Sequence, residues 1–538
     1  MNSQRQETGN SFPDLGRFHW RPYLGVMLSM SLLYGLTAQR GVSWQDSGRY
    51  QWRVLTGDYR VEGGLALAHP LYIACSQVVR MVPFGDLASR LNVLSGIWMS
   101  LALANLAAVA ALLTGRWWVA VLTAAMLGLA HTPWWLATIA ETYPMSAAAL
   151  TAELWLLVLL IHRPWWGYLV GLALAAGLHW SVHNLGLLAA PVYLAVAVWM
   201  VWTRRLPGWS LATAAGAYLA GAGPLLWLII QEAARTGDAA GAIHSALFGD
   251  YAAAVLNTNL SGGVLWANAA ISAMNLASWL LVLAVVGWAV MPRRLRRPMW
   301  LAILAITAIQ IVFVARYNIP DQFTFLLPSL MMLGVAAAVG AGWLADRWPS
   351  RRRLIAVLWG VCIALQPVVL AGAPGLAQWV RPGAARAVQR PFRDERRYWL
   401  TPWKHDEHSA QSYAQAALEQ AGPDGIILAD STARYPLLAY QQLHGVAPRV
   451  EVQHRGRPLP ANGDLQAILQ AAAGRPIYLT RREASALSAR LASWGPLVPQ
   501  GVLVRWAGPG REQSVSTRQG SQYNSDGYHD PLVRNNVD

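Results

Sequence analysis

Asp46 is the first residue whose setting asks for chemistry: it lies in "GVSWQDSGRY" (41–50), just beyond an apolar run, in a chain with 27 Asp and Glu against 42 Lys and Arg. A carboxylate placed so can take a proton as a general base, although as a helix N-cap it would be unremarkable. Glu141 recurs in the same setting, in "WWLATIAETYPMSAA" (134–148), where Tyr143 and Pro144 shape the turn into the next apolar run. Simple contact with interfacial water is the plain alternative there. In "FVARYNIPDQFTFLLP" (313–328), Arg316, Tyr317, Asn318 and Asp321 meet between two apolar runs, and an Arg316–Asp321 salt bridge fixing the turn would account for them. "GLHWSVHNLGLL" (177–188) sets His179 and His183 four residues apart, on one face if helical. Such a pair can bind a metal, but no third ligand stands at a fixed distance and there is no HExxH glutamate. Hydrogen-bonded histidines are the alternative.

Signatures of soluble enzymes are missing: no GxxxxGK[ST] loop, no GxGxxG after a strand, no GxSxG elbow and no paired CxxC. The elements that must position these residues are membrane helices. The 538 residues are 55% hydrophobic and 13% charged, with 28 Trp, which marks an integral membrane protein. The net charge of +15 does not indicate nucleic acid, because the Arg residues fall in short runs beside apolar segments, as in "PRRLRRP" (292–298) and "RWPSRRR" (347–353). Cys75 and Cys362 read as two packed thiols rather than a disulfide. The first apolar run follows a polar arm, without the cleavage site of a signal peptide.

A span needs about 20 apolar residues. That criterion gives eleven, near 23–39, 93–113, 117–136, 143–161, 165–180, 184–203, 209–231, 266–290, 299–315, 323–345 and 354–373. With residues 1–22 as a cytoplasmic arm, Arg116, Arg163, Arg204, Arg205 and both Arg clusters fall inside, while the loops at 137–142 and 181–183 have no Lys or Arg. "GGLALAHPLYIACSQVVRMVPF" (63–84) would reverse every later loop if it spanned, so it is expected to lie on the surface as an amphipathic helix with Pro70 near its start. This makes a large outer first loop, 40–92, whose Arg residues run against the charge rule and suit an anionic ligand. A second outer loop, 232–265, has an acidic and aromatic middle, "ALFGDYAAAV".

The expected architecture is therefore an α-helical polytopic membrane protein, a transmembrane domain over 23–373, with a small carboxy-terminal α/β extracytoplasmic domain over 389–507. Its strands are "GIILADS" (425–431), "RPIYLT" (475–480) and "GVLVRW" (501–506), with a helical "YPLLAYQQLHG" after the first. The tail 508–538, rich in Ser, Gln, Asn and Gly, is expected to be disordered.

In order along the chain, Asp46-Ser-Gly, "AHPLY" (68–72), "RLNVLSGIW" (90–98), the Ala-Glu-Thr-Tyr segment, "GLHWSVHNLGLLAAP" (177–191) and "YNIPDQFTFLLP" resemble a domain-of-unknown-function family grouping bacterial membrane proteins with the transmembrane protein O-mannosyltransferases. That family belongs to the GT-C superfamily of polyprenol-dependent glycosyltransferases, and the resemblance covers roughly 40 to 330. It implies that Asp46 is the catalytic carboxylate and Glu141 a second acidic group. It implies substrate-binding roles for His69, Arg90, Asn92, Tyr143, His183, Arg316 and Asp321. The partners implied are a polyprenyl-phosphate sugar, a protein, lipid or glycan acceptor and membrane lipids, with no nucleic acid. Val182 departs from the polar Asn expected before the histidine. The first loop lacks an acidic pair, which leaves a divalent cation open and no metal ligand assigned. Arg49, Arg53, Arg90 and Arg316 are the candidate phosphate cations, Arg90 foremost, with lipid headgroup anchoring as the alternative for each. Arg-rich, Ala-rich usage suggests a bacterial inner membrane with the site facing the periplasm. A transporter would be expected to show repeat halves and mid-helix charges, and a non-catalytic assembly protein would tolerate changes at Asp46 and Glu141.

Overall fold

The computed structural model describes residues 16–260, 262–275, 280–317, 319, 321–380, 390–454, 474–480, 491–493 and 495–508. The first fifteen residues of the arm, Asn318 and the tail from 509 lie outside them. Each expected span coincides with a helix or a broken pair of helices. These are α1 (Trp20–Thr37), α4 (Leu87–Thr114), α5 and α6 (Trp117–Gly128 and His131–Ala137), α7 (Tyr143–His162), α8 (Trp166–Val182) and α9 (Gly186–Trp202). They continue with α10 (Trp209–Thr236), α13 and α14 (Gly262–Asn275 and Leu280–Arg294), α15 (Arg297–Arg316), α16 (Leu327–Arg347) and α17 (Arg352–Val380).

Fewer than eleven satisfy length and apolarity by themselves. Among the described residues, α4, α7, α10, α15, α16 and α17 do, giving six, or up to eight if each broken pair is one span. The shortfall of three is physical: α8 and α9 have 17 residues each, about 26 Å of helix against a hydrocarbon core of about 30 Å, and the 18-residue α1 opens on the poorly apolar Trp-Arg-Pro-Tyr. The α5–α6 pair bends by 72° at its break.

The helices α4 and α16 sit at the centre of the bundle, whereas α10 and α17 show apolar side chains outward, including Trp227, Ile230, Val361 and Val368. An apolar outer belt of this kind suits lipid, not water. Gly177 and Gly221 bring α8 and α10 so close that no Cβ would fit at either position, the small-residue device by which membrane helices gain van der Waals contact. At one end of the bundle Asp346 accepts from both Arg116 and Arg294. The candidate residues gather at the other end.

There the segment 63–84 forms a nine-residue helix, α3 (Pro70–Val78), flanked by short 3-10 turns. It is too short to cross a bilayer, and Pro70 occupies its first turn, where the missing N–H costs nothing. With α2 (Gln45–Thr56) it packs on a small apolar cluster of Tyr50, Val54, Tyr72, Ile73, Leu91 and Val182. The second loop holds α11 (Ala239–Leu247) and α12 (Ala252–Val255).

The carboxy-terminal region places α18 (Glu395–Leu400), α19 (Ser409–Ala421) and α20 (Ser431–His444) with a five-stranded sheet on that same end. The strands are β1 (Ile426–Ala429), β2 (Glu451–His454), β3 (Ile477–Leu479), β4 (Leu497–Gln500) and β5 (Leu503–Trp506), in spatial order β2-β1-β3-β5-β4. The pairs β1–β2 and β1–β3 are parallel, β3–β5 and β4–β5 antiparallel. Three strands were legible in the sequence; β2 and β4, four polar-containing residues each, were not. The region is fastened to the bundle by Trp44 Nε1 donating to Ser409 Oγ at 2.8 Å, Thr138 Oγ1 to the Pro402 carbonyl at 2.8 Å and Trp135 Nε1 to the Tyr398 carbonyl at 3.1 Å. Cys75 and Cys362 form no disulfide.

Candidate functional site

Asp46 is not an N-cap. Trp44 caps α2, and Asp46 lies in its first turn, where the positive end of the helix dipole favours a carboxylate. Gln45, directly before it, has φ 55°, a left-handed conformation uncommon outside glycine. Arg49 stands one turn on: its Nη2 is 3.0 Å from Asp46 Oδ1, with the Arg49 side chain buried and the Asp46 side chain half exposed. Burial works against the Arg49 charge, but Asp46 and the surrounding tyrosines outweigh it and hold the guanidinium firmly protonated. Arg49 Nε is buried without a hydrogen-bond partner. Gly48 touches Pro436 of α20, and a side chain there would strike the Ser43 carbonyl and push α20 away.

Two cavities meet at this turn. One, of about 320 Å³, is largely apolar and runs past Leu185, Leu188, Leu247, Phe313 and Phe325, with Tyr143, His69 and His183 in its wall. The other, of about 470 Å³, is more polar and opens between the bundle and the carboxy-terminal region, past Ser47, Glu62, Glu141, Asp250, Trp399 and Tyr435. Asp46, Arg49, Leu67, Tyr251, Ile319 and Asp321 line both. Arg49 is the only Lys or Arg in either wall among the described residues.

Glu141 is aimed by two serines and an asparagine. Its backbone N–H donates to Ser95 Oγ at 2.9 Å, the preceding Ala140 N–H to Asn92 Oδ1 at 2.9 Å, and Ser47 Oγ donates to Glu141 Oε1 at 2.9 Å. Burial, then the nearby Asp46 charge, pushes the Glu141 carboxyl well above the usual range. The same two causes raise Asp321 to about 6. No Arg316–Asp321 salt bridge forms: Arg316 Nη1 instead donates to the carbonyls of Val255 and Asn257, at 2.6 and 2.9 Å.

His69 caps α3 in a left-handed conformation, φ 46°, before a proline that disfavours it. Such strain, about 1–3 kcal/mol, is held only where surroundings enforce it, commonly at functional sites. Here His69 Nδ1 is 2.8 Å from the Val182 carbonyl and its ring stacks on His183, centroids 5.0 Å apart. Burial lowers both histidines, His183 to about 3, so both are neutral. The two histidines four apart do not share a helical face, because α8 ends at Val182 and His183 is extended. His179 turns away into the bundle, its Nδ1 2.8 Å from Glu153 Oε1 and its Nε2 2.6 Å from Ser146 Oγ.

Asp46, Glu141, His69, Tyr143, His183 and Asp321 are thus brought together. Arg90, Asn92 and Arg316 line neither cavity. Arg90 Nη1 donates to the carbonyls of Val79 and Val82, which leaves it holding the end of α3 rather than facing a phosphate. Arg53 is likewise spent on four carbonyls, those of Asp58, Tyr59, Leu67 and Ala68. Asn92 is a buried pin: Oδ1 accepts from Gln51 Nε2 at 3.0 Å as well as from Ala140, and Nδ2 donates to the Gln39 and Gly41 carbonyls at 2.9 and 3.2 Å. Among the described residues no three His, Cys, Asp or Glu side chains converge as metal ligands. The sequence reading missed Tyr251 of the second outer loop, Trp399 and Tyr435 on helices of the carboxy-terminal region, and Glu153, visible as an acid in mid-span.

No family model matches the sequence, and no curated protein does. The fold does have solved counterparts. ArnT from Cupriavidus metallidurans bound to undecaprenyl phosphate superposes with a TM-score of 0.57 at 15% identity, over 91% of this chain and 98% of that one. Its apo state gives 0.55 at 15% identity, over 90% and 98%. The chain has the GT-C fold. The Archaeoglobus fulgidus oligosaccharyltransferase in complex with zinc and sulfate aligns at 0.46 and 12% identity, over 87% and 69%, below the level that carries weight. At these identities the likeness is one of fold alone.

Proposed function

We propose that the protein is a membrane glycosyltransferase moving a sugar from a polyprenyl-phosphate donor to an acceptor hydroxyl. The observation that carries this is the meeting of an apolar and a polar cavity at Asp46 and Arg49. The donor's isoprenoid chain lies in the apolar cavity, and its phosphate binds Arg49, the one Lys or Arg among the described residues in either wall. The acceptor enters through the polar cavity. Its hydroxyl oxygen bonds to the anomeric carbon as the anomeric C–O bond to phosphate breaks, and polyprenyl phosphate leaves with the electron pair. Asp46 takes the hydroxyl proton, and Arg49 stabilises the charge that grows on the phosphate. Attack opposite the leaving group inverts the anomeric centre. Glu141 hydrogen-bonds to the acceptor in the polar cavity, and Asp321 faces the positive charge developing on the sugar.

The fold shared with a protein solved in complex with undecaprenyl phosphate supports this reading. The Arg residues gathered at the end of the bundle opposite the site support a cytoplasmic placement of that end, hence a periplasmic site in a bacterial inner membrane. Transfer of label from radiolabelled polyprenyl-phosphate sugars tests it, in membranes containing wild type or Asp46→Asn. Transfer by the wild type alone supports the assignment. No transfer from any donor would favour a transporter or an assembly protein.

A further inference from the structure

We infer that the polar cavity is an acceptor subsite for an uncharged sugar ring, with the carboxy-terminal region forming its far wall. The assignment rests on the transferase reading and names the acceptor class for it.

Three features of the wall select this occupant. The first is aromatic surface. Tyr435 comes from α20 and Trp399 from α18, while Tyr251 closes the cavity from the second loop. The face of an aromatic ring is electron-rich, and the axial C–H bonds of a pyranose present a weakly positive, apolar face that rests on such a ring. The second is hydrogen bonding of both senses. A hydroxyl both donates and accepts; Asp46 and Asp321 offer acceptors, and the hydroxyls of Ser431 and Thr432 offer donors.

The third feature argues against a phosphate-bearing acceptor. The amino-terminal turn of α20, at the carboxyl end of β1, faces the cavity through Ser431 and Thr432 and would otherwise be an anion site. It is already closed: Asp430 accepts from the Thr432 and Ala433 N–H groups at 2.9 and 3.1 Å. Arg49 is held by Asp46 and needed by the donor, and Arg434 is engaged by Glu62. A second phosphate would therefore lie among carboxylates with no cation left for it. An ammonium ligand gains less than the number of acids suggests, because Asp46 and Glu62 are each already paired with an arginine.

The donor itself separates this inference from the reading beneath it, since a transferase without acceptor releases its sugar slowly to water. The full chain in lipid nanodiscs is given labelled polyprenyl-phosphate hexoses and pentoses together with one of four acceptors. These are neutral methyl glycosides, the same glycosides as 6-phosphates, methyl glucosaminide, and a Ser/Thr-containing peptide. The ratio of glycoside product to free sugar is measured. A neutral glycoside is expected to receive label at least tenfold faster than its phosphate. Tyr435→Ala is expected to lower the ratio of transfer to hydrolysis about tenfold, and Tyr435→Phe to preserve it. Preference for the phosphate, the amine or the peptide overturns the inference while leaving the transferase standing, as does a ratio indifferent to Tyr435→Ala. Absence of any donor turnover, hydrolysis included, overturns both.

Discussion

The Asp46 carboxylate lies 3.0 Å from the Arg49 guanidinium, one turn along α2, at the point where the two cavities join. The pair sets a base beside an anion-binding group, so that one turn of helix serves both the incoming hydroxyl and the departing phosphate. Removing the base while keeping its size is the direct test. Asp46→Asn is expected to lower transfer by about a hundred- to ten-thousand-fold with normal expression and an unchanged melting temperature, since Asp46 is half exposed. Transfer at wild-type rates would take Asp46 out of the chemistry.

Arg49 should not tolerate lysine. A guanidinium can keep Asp46 on one nitrogen and offer another to phosphate, whereas an ammonium is a single point charge. Arg49→Lys is expected to raise the half-saturating donor concentration about tenfold or more, and Arg49→Gln further. Wild-type donor saturation in the lysine variant would mean that the phosphate binds elsewhere.

The neighbouring Asp321 gives a pH signature of determinate sign. Burial followed by the Asp46 charge raises it to about 6, so it ionises as pH rises through that value. If its negative charge steadies the reacting sugar, activity rises through about pH 6 and that limb disappears in Asp321→Asn. Stability runs the other way. A carboxyl whose folded value is raised binds its proton more tightly in the native state, so stability is lost as pH rises from about 4 to about 6 and stays lower above. Asp321→Asn is therefore expected to melt higher than wild type at pH 7.5, with no gain at pH 4. A melting difference that does not change with pH would contradict the raised value.

How much of this could be read from sequence depends on what kind of signal each residue leaves. Asp46, Glu141 and Asp321 stand out because acids are rare at the ends of apolar runs, and all three line the cavities. Arg90, Arg53 and Arg316 look the same in sequence as Arg49, yet each is consumed by backbone carbonyls of loops whose path no local pattern specifies. Tyr251 and Tyr435 reach the site only through tertiary packing, Tyr435 from nearly 400 residues beyond Asp46 in the chain. The helices followed from hydropathy almost to their ends. The 72° break at 129–130 did not: "MLGLAHTPWW" carries Gly128, His131 and Pro133, but the run around it has the length and apolarity of a single span. The strain at Gln45 and His69 has no sequence signature beyond the proline that makes the second improbable.

Asn92 should prove to be structural. It holds the loop before α2, the Gln51 side chain and the Ala140 N–H at once, and it is fully buried. Asn92→Leu takes the partner from the buried Ala140 N–H and the Gln39 carbonyl and is expected to cost about 3 kcal/mol or more, read as a large fall in melting temperature in detergent. Asn92→Asp retains the acceptor but buries a charge, and should fall in between. An inactive Asn92→Leu of unaltered stability would instead point to substrate contact.

Within the bundle, Glu153 gives the most exacting test, because its whole setting is buried. Its Oε1 is 2.8 Å from His179 Nδ1, and its Oε2 accepts from Tyr193 at 2.8 Å. An acid in mid-span is tolerated only when paired, and α7, α8 and α9 are tied together by this one carboxylate. Glu153→Leu strands both partners and is expected to cost about 3–5 kcal/mol, as does His179→Leu, which strands the acid. The double variant removes the acid and the imidazole together, so its loss should be well short of the sum of the two. Melting curves of the four proteins complete the cycle. Strictly additive losses would show that Glu153 and His179 act separately, and that the helices owe their registration to packing alone.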